Sequence, residues 1–178
     1  MNQFILLSGC SGGGKSTLLK ALKARGHQVV EEPGRRVVEA ELARGGNALP
    51  WTDIEAFLHR TLDLAVADHK AAQDMDGPVF FDRGVVDAAV ALAHVTGDPA
   101  AGAMAETCRY NPSVFLAPPW PEIFTGDEAR KHGINEAVAE YARLESAFPA
   151  LGYRTHVLPK APVDTRADWM LSALADPD

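Results

Sequence analysis

The chain has 178 residues, 47% hydrophobic and 23% charged, with a mean hydropathy of −0.10. That describes one ordinary globular domain, long enough to bury a single core, and no run approaches the ~20 apolar residues a membrane helix needs. Seventeen basic against 24 acidic side chains leave a net charge of −7. This works against broad binding to nucleic acid or to an anionic membrane, though not against a small anion in one pocket.

Cys10 and Cys108 are too few for a disulfide framework or a tetrahedral zinc site, and Cys108 reads as a small buried hydrophobe. No basic leader precedes the first apolar run, so a cytoplasmic location is expected.

Alternation of strand and helix signals predicts one α/β domain over 1–178 with a mostly parallel sheet. Gln3 to Ser8 is a short apolar run that reads as a fully buried strand. Lys15 to Arg25 places Leu18, Leu19 and Leu22 at helical spacing, with Gly26 as the stop. Val29-Val30 is a brief second strand, and Pro33 stands where a helix to about Arg44 begins. Thr52 with Glu55 three residues on is a capping-box pattern, opening a helix with Ile54, Phe57, Leu58, Leu62 and Val66 on one face.

Val79 to Phe81 is the third strand, followed by helices to about His94 and from Pro99 to Arg109. Ser113 to Ala117 is the fourth strand, and Pro118 to Gly133 is a polar, irregular lid candidate. Asn135 to Ala147 reads as a helix, Arg154 to Leu158 as the fifth strand, and Val163 to Leu174 as a closing helix.

The first strand feeds Gly9-Cys10-Ser11-Gly12-Gly13-Gly14-Lys15-Ser16-Thr17, the P-loop pattern in its proper strand-to-helix setting. Glycines let successive amides turn inward around an anion, and the helix that follows points its positive end at the same place. Lys15, taken as solvent-facing, is expected on the β- and γ-phosphates, Ser16 on Mg²⁺ and Thr17 near the α-phosphate. The expected ligand is a nucleoside triphosphate, ATP with Mg²⁺, and adenine is a default because no guanine-reading pattern is present.

Asp82 ends the apolar run VFFD, the position of a carboxylate that holds the metal, or of a plain helix cap. Arg83 is suited either to bridge phosphoryl oxygens or to pair with Asp87 one turn on. Glu32, at the end of the second strand, is placed to take a proton from an attacking hydroxyl, and Glu31 lies beside it. Arg36 with its neighbour Arg35, and Asp87, are candidates for binding the acceptor. In the lid segment, Asp127, Arg130 and Lys131 lie between Gly126 and Gly133, with Arg130 the candidate to reach the phosphates. Trp51, Trp120 and Trp169 read as packing, with Trp120 beside the lid, and no histidine has metal-ligand spacing.

Beyond the P-loop, VVEEPGRRVVE at 29–39, FFDRGVVD at 80–87, VFLAPPWPEIF at 114–124 and GYRTHVLP at 152–159 carry a wider likeness. The chain resembles the NadR-like P-loop ATPases of AAA_28 type, which include the nicotinamide-riboside kinase domain and the TRPL-translocation-defect proteins. It is more faintly similar to deoxynucleoside kinases, with Glu32-Pro33 and Asp82-Arg83 standing at their acid-proline and acid-arginine pairs. Gly84 stands where those kinases typically carry serine. The resemblance implies a three-layer α/β/α P-loop fold with a five-stranded parallel sheet of order 2-3-1-4-5.

Two functions are compatible with these residues. One is a small-molecule kinase acting on a nucleoside-like or other small acceptor. The other is a nucleotide-dependent binding module with slow turnover, using no nucleic acid and no membrane, as a monomer or homodimer. Ring assembly is not expected, because Asp82 is followed by arginine and not by a water-activating glutamate.

Overall fold

The computed structural model describes residues 3–123 and 133–175. Its order is β1 (Phe4–Gly9), α1 (Lys15–Ala24), β2 (Gln28–Val30), α2 (Pro33–Arg44), α3 (Ile54–Ala71), β3 (Val79–Asp82), α4 (Val85–Thr96) and α5 (Pro99–Thr107). Then come β4 (Ser113–Ala117), α6 (Ile134–Ala150), β5 (Arg154–Val157) and α7 (Val163–Ala175). The strands form one parallel sheet of order β2-β3-β1-β4-β5. This is the α/β architecture and strand order that the sequence resemblance implied.

The apolar strand runs are explained by burial on both faces, since successive side chains point to opposite sides. Ile5, Leu7, Phe80, Phe115 and Ala117 face a layer containing Leu18, Leu19 and Leu22 of α1 and Ala167 and Met170 of α7. Phe4, Leu6, Phe81, Val114 and Leu116 face the other layer, with Leu58 and Leu62 of α3, Val86 and Leu92 of α4, and Leu144 and Phe148 of α6. Both clusters stack on the sheet, so its carboxyl edge is held rigidly from two sides. Among the described residues no helix is long and apolar enough to cross a membrane.

Three local expectations are corrected. Helix α3 is capped by Asp53, whose carboxylate accepts from the Ala56 amide at 3.0 Å, and not by Thr52. The amides of Thr52 and Asp53 both return to the Leu49 carbonyl, so Thr52 still belongs to the preceding turn. Helix α6 runs on to Ala150 through Pro149, which sits in the last turn while Leu151 N–H still reaches the Ala147 carbonyl. Cys108, at the end of α5, is only half-buried and packs against the edge of the core.

The connection from α2 to α3 is fixed by a buried acid. Glu41 is 2% exposed and takes ion pairs from Arg44 and, at 2.5 Å, Arg60, while its other oxygen accepts from the Ala48 amide at 3.2 Å. The two arginines are about half exposed and can be rehydrated, whereas the Ala48 amide cannot. Glu41→Ala is therefore expected to destabilise the protein by about 2 kcal/mol, mostly through that orphaned amide. Urea unfolding of the variant measures it, and a change within about 0.5 kcal/mol, the scale of an ordinary surface substitution, would contradict the assignment.

Candidate functional site

The phosphate loop leaves β1 under a tight constraint. The Cys10 amide donates to the Ala117 carbonyl at 2.8 Å, and a Cβ at Gly9 would lie 2.4 Å from that same oxygen. Gly9 (φ 103°) and Gly14 (φ 78°) adopt backbone that side chains rarely enter, and Gly14 is the residue from which α1 springs. The first turn of α1 carries neither an acid nor a side-chain cap, which leaves its amides directed at an anion.

Lys15 is 4% exposed, not solvent-facing as the sequence suggested, and its Nζ donates to the Cys10 carbonyl at 2.8 Å. The ammonium thus lies across the loop, within the ring of amides. Burial pushes its pKa down, and the Arg83 charge acts in the same direction. Burial pushes the Cys10 thiol up, which keeps it protonated and unreactive.

Ser16 Oγ donates to Asp82 Oδ2 at 3.1 Å, bringing the two metal candidates together from α1 and β3. Asp82 Oδ1 is buried and has no hydrogen-bond partner among the described residues. Desolvation, then the nearby Glu32 charge, raises the Asp82 carboxyl to about 6, against the pull of Lys15 and Arg83. An orphaned oxygen on a buried acid beside a serine hydroxyl and an amide nest suits a divalent cation shared with phosphate oxygens. Among the described residues no group of three or more His, Cys, Asp or Glu could hold a metal, so phosphate oxygens would have to complete its shell.

Arg83 does not stand free to bridge phosphates. Its Nε lies 3.3 Å from Glu32, one terminal nitrogen 3.2 Å from Asp87, and the other 2.9 Å from Glu140 of α6. Burial works against the cation, but Glu140, Asp87 and Glu32 outweigh it and hold the guanidinium firmly charged. Asp87 is tied in further by Ser8 Oγ at 2.5 Å and the Gly84 amide at 3.1 Å. Burial raises its pKa while Arg83 and Ser8 oppose the rise. The pairing of Arg83 with Asp87 is therefore present, as one arm of a wider clamp.

A cavity of about 480 Å³ opens beside this clamp, between α2, α3, α4 and α6, and reaches Ser11 of the loop. Glu32, Arg83 and Asp87 line it. Arg36 is turned away and pairs with Asp68 at 2.6 Å, and Arg35 lines the cavity in its place. A second hollow of about 430 Å³ lies against Gly12, Gly14, Lys15, Ser16 and Thr17 on the other side of the loop. Trp120 and Arg166 border it, with the guanidinium 5.4 Å from the ring centroid. Asp127, Arg130 and Lys131, with most of the lid candidate, lie outside the described residues.

Sequence reasoning missed Ser8, Glu140 and Arg166. Ser8 reads only as the end of the first strand, and nothing in the local pattern singles out Glu140 on α6 or Arg166 on α7. Gly84 gains a physical reason: a Cβ there would lie 2.4 Å from Tyr110 Oη, which accepts from the Val85 amide at 3.1 Å. A serine at 84 cannot coexist with this tyrosine position.

Solved structures share the fold across the whole chain. Deoxyadenosine kinase from M. mycoides with bound dATP matches with a TM-score of 0.67 at 12% identity, covering 97% of this chain and 100% of that one. The structure of that enzyme with the products dCMP and dCDP gives 0.66 at 13% identity, with 97% and 98% covered. Shikimate kinase from Acinetobacter baumannii in complex with shikimate gives 0.57 at 13% identity, with 97% and 92% covered. No curated protein matches the chain. The profile of AAA_28, described as an AAA domain, matches residues 4–166. Spanning β1 to α7, that match makes the chain a member of the AAA_28 family of AAA domains.

Proposed function

We propose that this chain is a phosphotransferase that moves the γ-phosphoryl group of ATP onto a hydroxyl of a small acceptor. The observation that carries the reading is the meeting, at one sheet edge, of the phosphate loop, the Ser16–Asp82 pair and Glu32 at the mouth of a ligand-sized cavity. The solved kinases of the same fold, which bind dATP, deoxynucleotide products or shikimate, support it.

The chemistry assigned to each group is limited. Glu32 accepts the proton of the acceptor hydroxyl as its oxygen bonds to the γ-phosphorus and the bond from that phosphorus to the β-phosphate oxygen breaks, leaving ADP with the electron pair. The amides of residues 11, 12 and 14–16 and the Lys15 ammonium hold the phosphate charge, while those of Cys10 and Gly13 are used within the loop's own frame. Ser16 and Asp82 would hold Mg²⁺, which when bound neutralises charge on the phosphate oxygens. Arg83 fixes the Glu32 carboxylate and contributes a positive field from behind it.

Glu32→Gln removes the proton acceptor but keeps the shape. ADP formation in the presence of a productive acceptor is expected to fall about 10²–10⁴-fold, with Mg·ATP affinity within a few-fold of the parent. A coupled assay for ADP, run beside calorimetry, separates the two, and full turnover by the variant would remove Glu32 from the mechanism.

The raised Asp82 carboxyl makes a second prediction. Its folded pKa of about 6 exceeds the ordinary 3.8, so the folded protein binds that proton more tightly than the unfolded chain does. Stability of the nucleotide-free protein should therefore fall as pH rises from about 4 to about 6, and Mg-dependent nucleotide affinity should fall as pH drops through about 6. Asp82→Asn should flatten the stability slope, leaving the same-signed contribution of Asp87, and should abolish the effect of Mg²⁺ on nucleotide binding. Melting temperatures across that pH range test it; parallel slopes in parent and variant would rule it out.

A further inference from the structure

We propose that Arg166 on α7 is a positioning residue for the phosphate loop, holding the carbonyls of Gly13 and Gly14 so that the amides of Gly14 and Lys15 stay turned toward the triphosphate. This rests on the phosphate site of the reading above and not on the choice of acceptor.

The need for such a residue lies in the glycines. A trans peptide unit is planar, so its carbonyl and its N–H point opposite ways. Turning the unit over would replace an inward amide with a carbonyl oxygen and set negative partial charge against a phosphate. Glycine tolerates both arrangements, so a unit with glycine on either side is the easiest to turn over. The loop has two of these, Gly12–Gly13 and Gly13–Gly14. The first is held from within, since the Gly13 amide donates to the Cys10 carbonyl at 3.2 Å.

Among the described residues, the second is held by Arg166. Its Nη1 donates to the Gly13 carbonyl and to the Gly14 carbonyl, each at 3.4 Å. One donor shared between two oxygens makes both contacts long, and the charge of that donor offsets the length. The Gly14 carbonyl also accepts from the Leu18 amide at 3.2 Å, so the unit leading into Lys15 is tied by the helix as well. The approach is as close as glycine allows. A Cβ on Gly14 would lie 2.8 Å from Nη1.

Arg166 is itself kept in place. It is 5% exposed, and the Trp120 ring centroid lies 5.4 Å from its guanidinium carbon. Its Nε is buried with no hydrogen-bond partner among the described residues, a cost the side chain bears in order to lie there. Ala167 and Met170 of α7 pack with Leu18, Leu19 and Leu22 of α1. Arg25, just past the far end of α1, pairs with Asp164 at 3.0 Å and Asp168 at 2.6 Å, one turn apart on α7 and on either side of Arg166 in sequence. Helix α7 is thus docked on α1, and Arg166 carries that rigidity into the loop.

The test uses the full chain and two ligands, Mg·ATP and inorganic triphosphate with Mg²⁺, with binding measured by calorimetry. The parent is compared with Arg166→Met and Arg166→Lys. Methionine fills the buried space without a donor. It is expected to weaken both ligands alike, by about tenfold or more, the scale of a lost bond from a charged donor, while the melting temperature stays near the parent's. Lysine keeps a charged donor without the planar fork, and is expected to lose only a few-fold on both. Should Arg166→Met not fold, Arg166→Lys carries the test alone, and parent-like affinity in it would overturn the role.

Unchanged binding by a folded Arg166→Met would overturn the proposal. So would a loss confined to Mg·ATP, which would move Arg166 to the nucleoside end of the ligand. Lysine no better than methionine would reduce the residue to filling space. A parent that binds neither ligand would instead remove the phosphate site itself, and this proposal with it.

Discussion

The crossing of the phosphate loop over the end of β4 is the constraint on which the site depends. The Cys10 amide reaches the Ala117 carbonyl at 2.8 Å only because Gly9 lacks a side chain that would lie 2.4 Å from that oxygen. That bond fixes where the loop starts, and the packing of Leu18, Leu19 and Leu22 beneath α1 fixes where it ends. With both ends held, the loop amides are set before any ligand arrives, which is the condition for electrostatic stabilisation without reorganisation. The neighbouring strand β3 pairs with β1 through Leu7 and Asp82, so the carboxylate that Ser16 touches is placed by the same sheet.

Holding charges in such a place is unfavourable in itself, and the structure shows how the burden is distributed. Lys15, Asp82, Arg83 and Asp87 are each less than a tenth exposed. Isolated, any one of them would be strongly disfavoured. Arg83 is offset by three carboxylates and stays charged. Asp87 is offset by Arg83, Ser8 and an amide. Asp82 has one oxygen without a hydrogen-bond partner among the described residues, and a carboxyl raised to about 6. The under-compensated group is thus the one that a cation would satisfy, which is the usual relation between stored cost and function.

Much of the fold was legible because β1, β3 and β4 are runs buried on both faces and most helices are punctuated by glycine or proline. The phosphate loop was legible because its spacing is set by the anion it wraps. The strand order was not readable from periodicity, which says nothing about which strands are neighbours; it came through the resemblance carried by residues 29–39, 80–87 and 114–124. The partners of Arg83 were only half legible. Asp87 is one helical turn away and visible by spacing, whereas Glu140 is 57 residues off and becomes a neighbour only when α6 packs beside α4. Arg35 and Arg36 show a further limit. Adjacent helical residues differ by about 100° in direction, and with both Val37 and Val38 buried the pattern does not say which arginine turns toward the cavity. Lys15 was misjudged as exposed because its burial comes from the curl of the loop, not from any apolar run.

The turn after β3 explains how two adjacent residues serve two different sites. Arg83 has φ 60°, the one non-glycine residue with positive φ among those described. A residue held there costs on the order of 1 kcal/mol or more and persists only where its surroundings over-determine it. With the chain bent in this way, Asp82 faces Ser16 and the phosphate loop while the Arg83 side chain departs toward Glu32 and α6. An ordinary extended residue at 83 would continue the strand and could not supply that bend. Gly84 then allows Tyr110 to close in behind, its hydroxyl accepting from Val85 at the start of α4. The strain at one residue is thus held by three ion pairs on its own side chain and a tyrosine at its back.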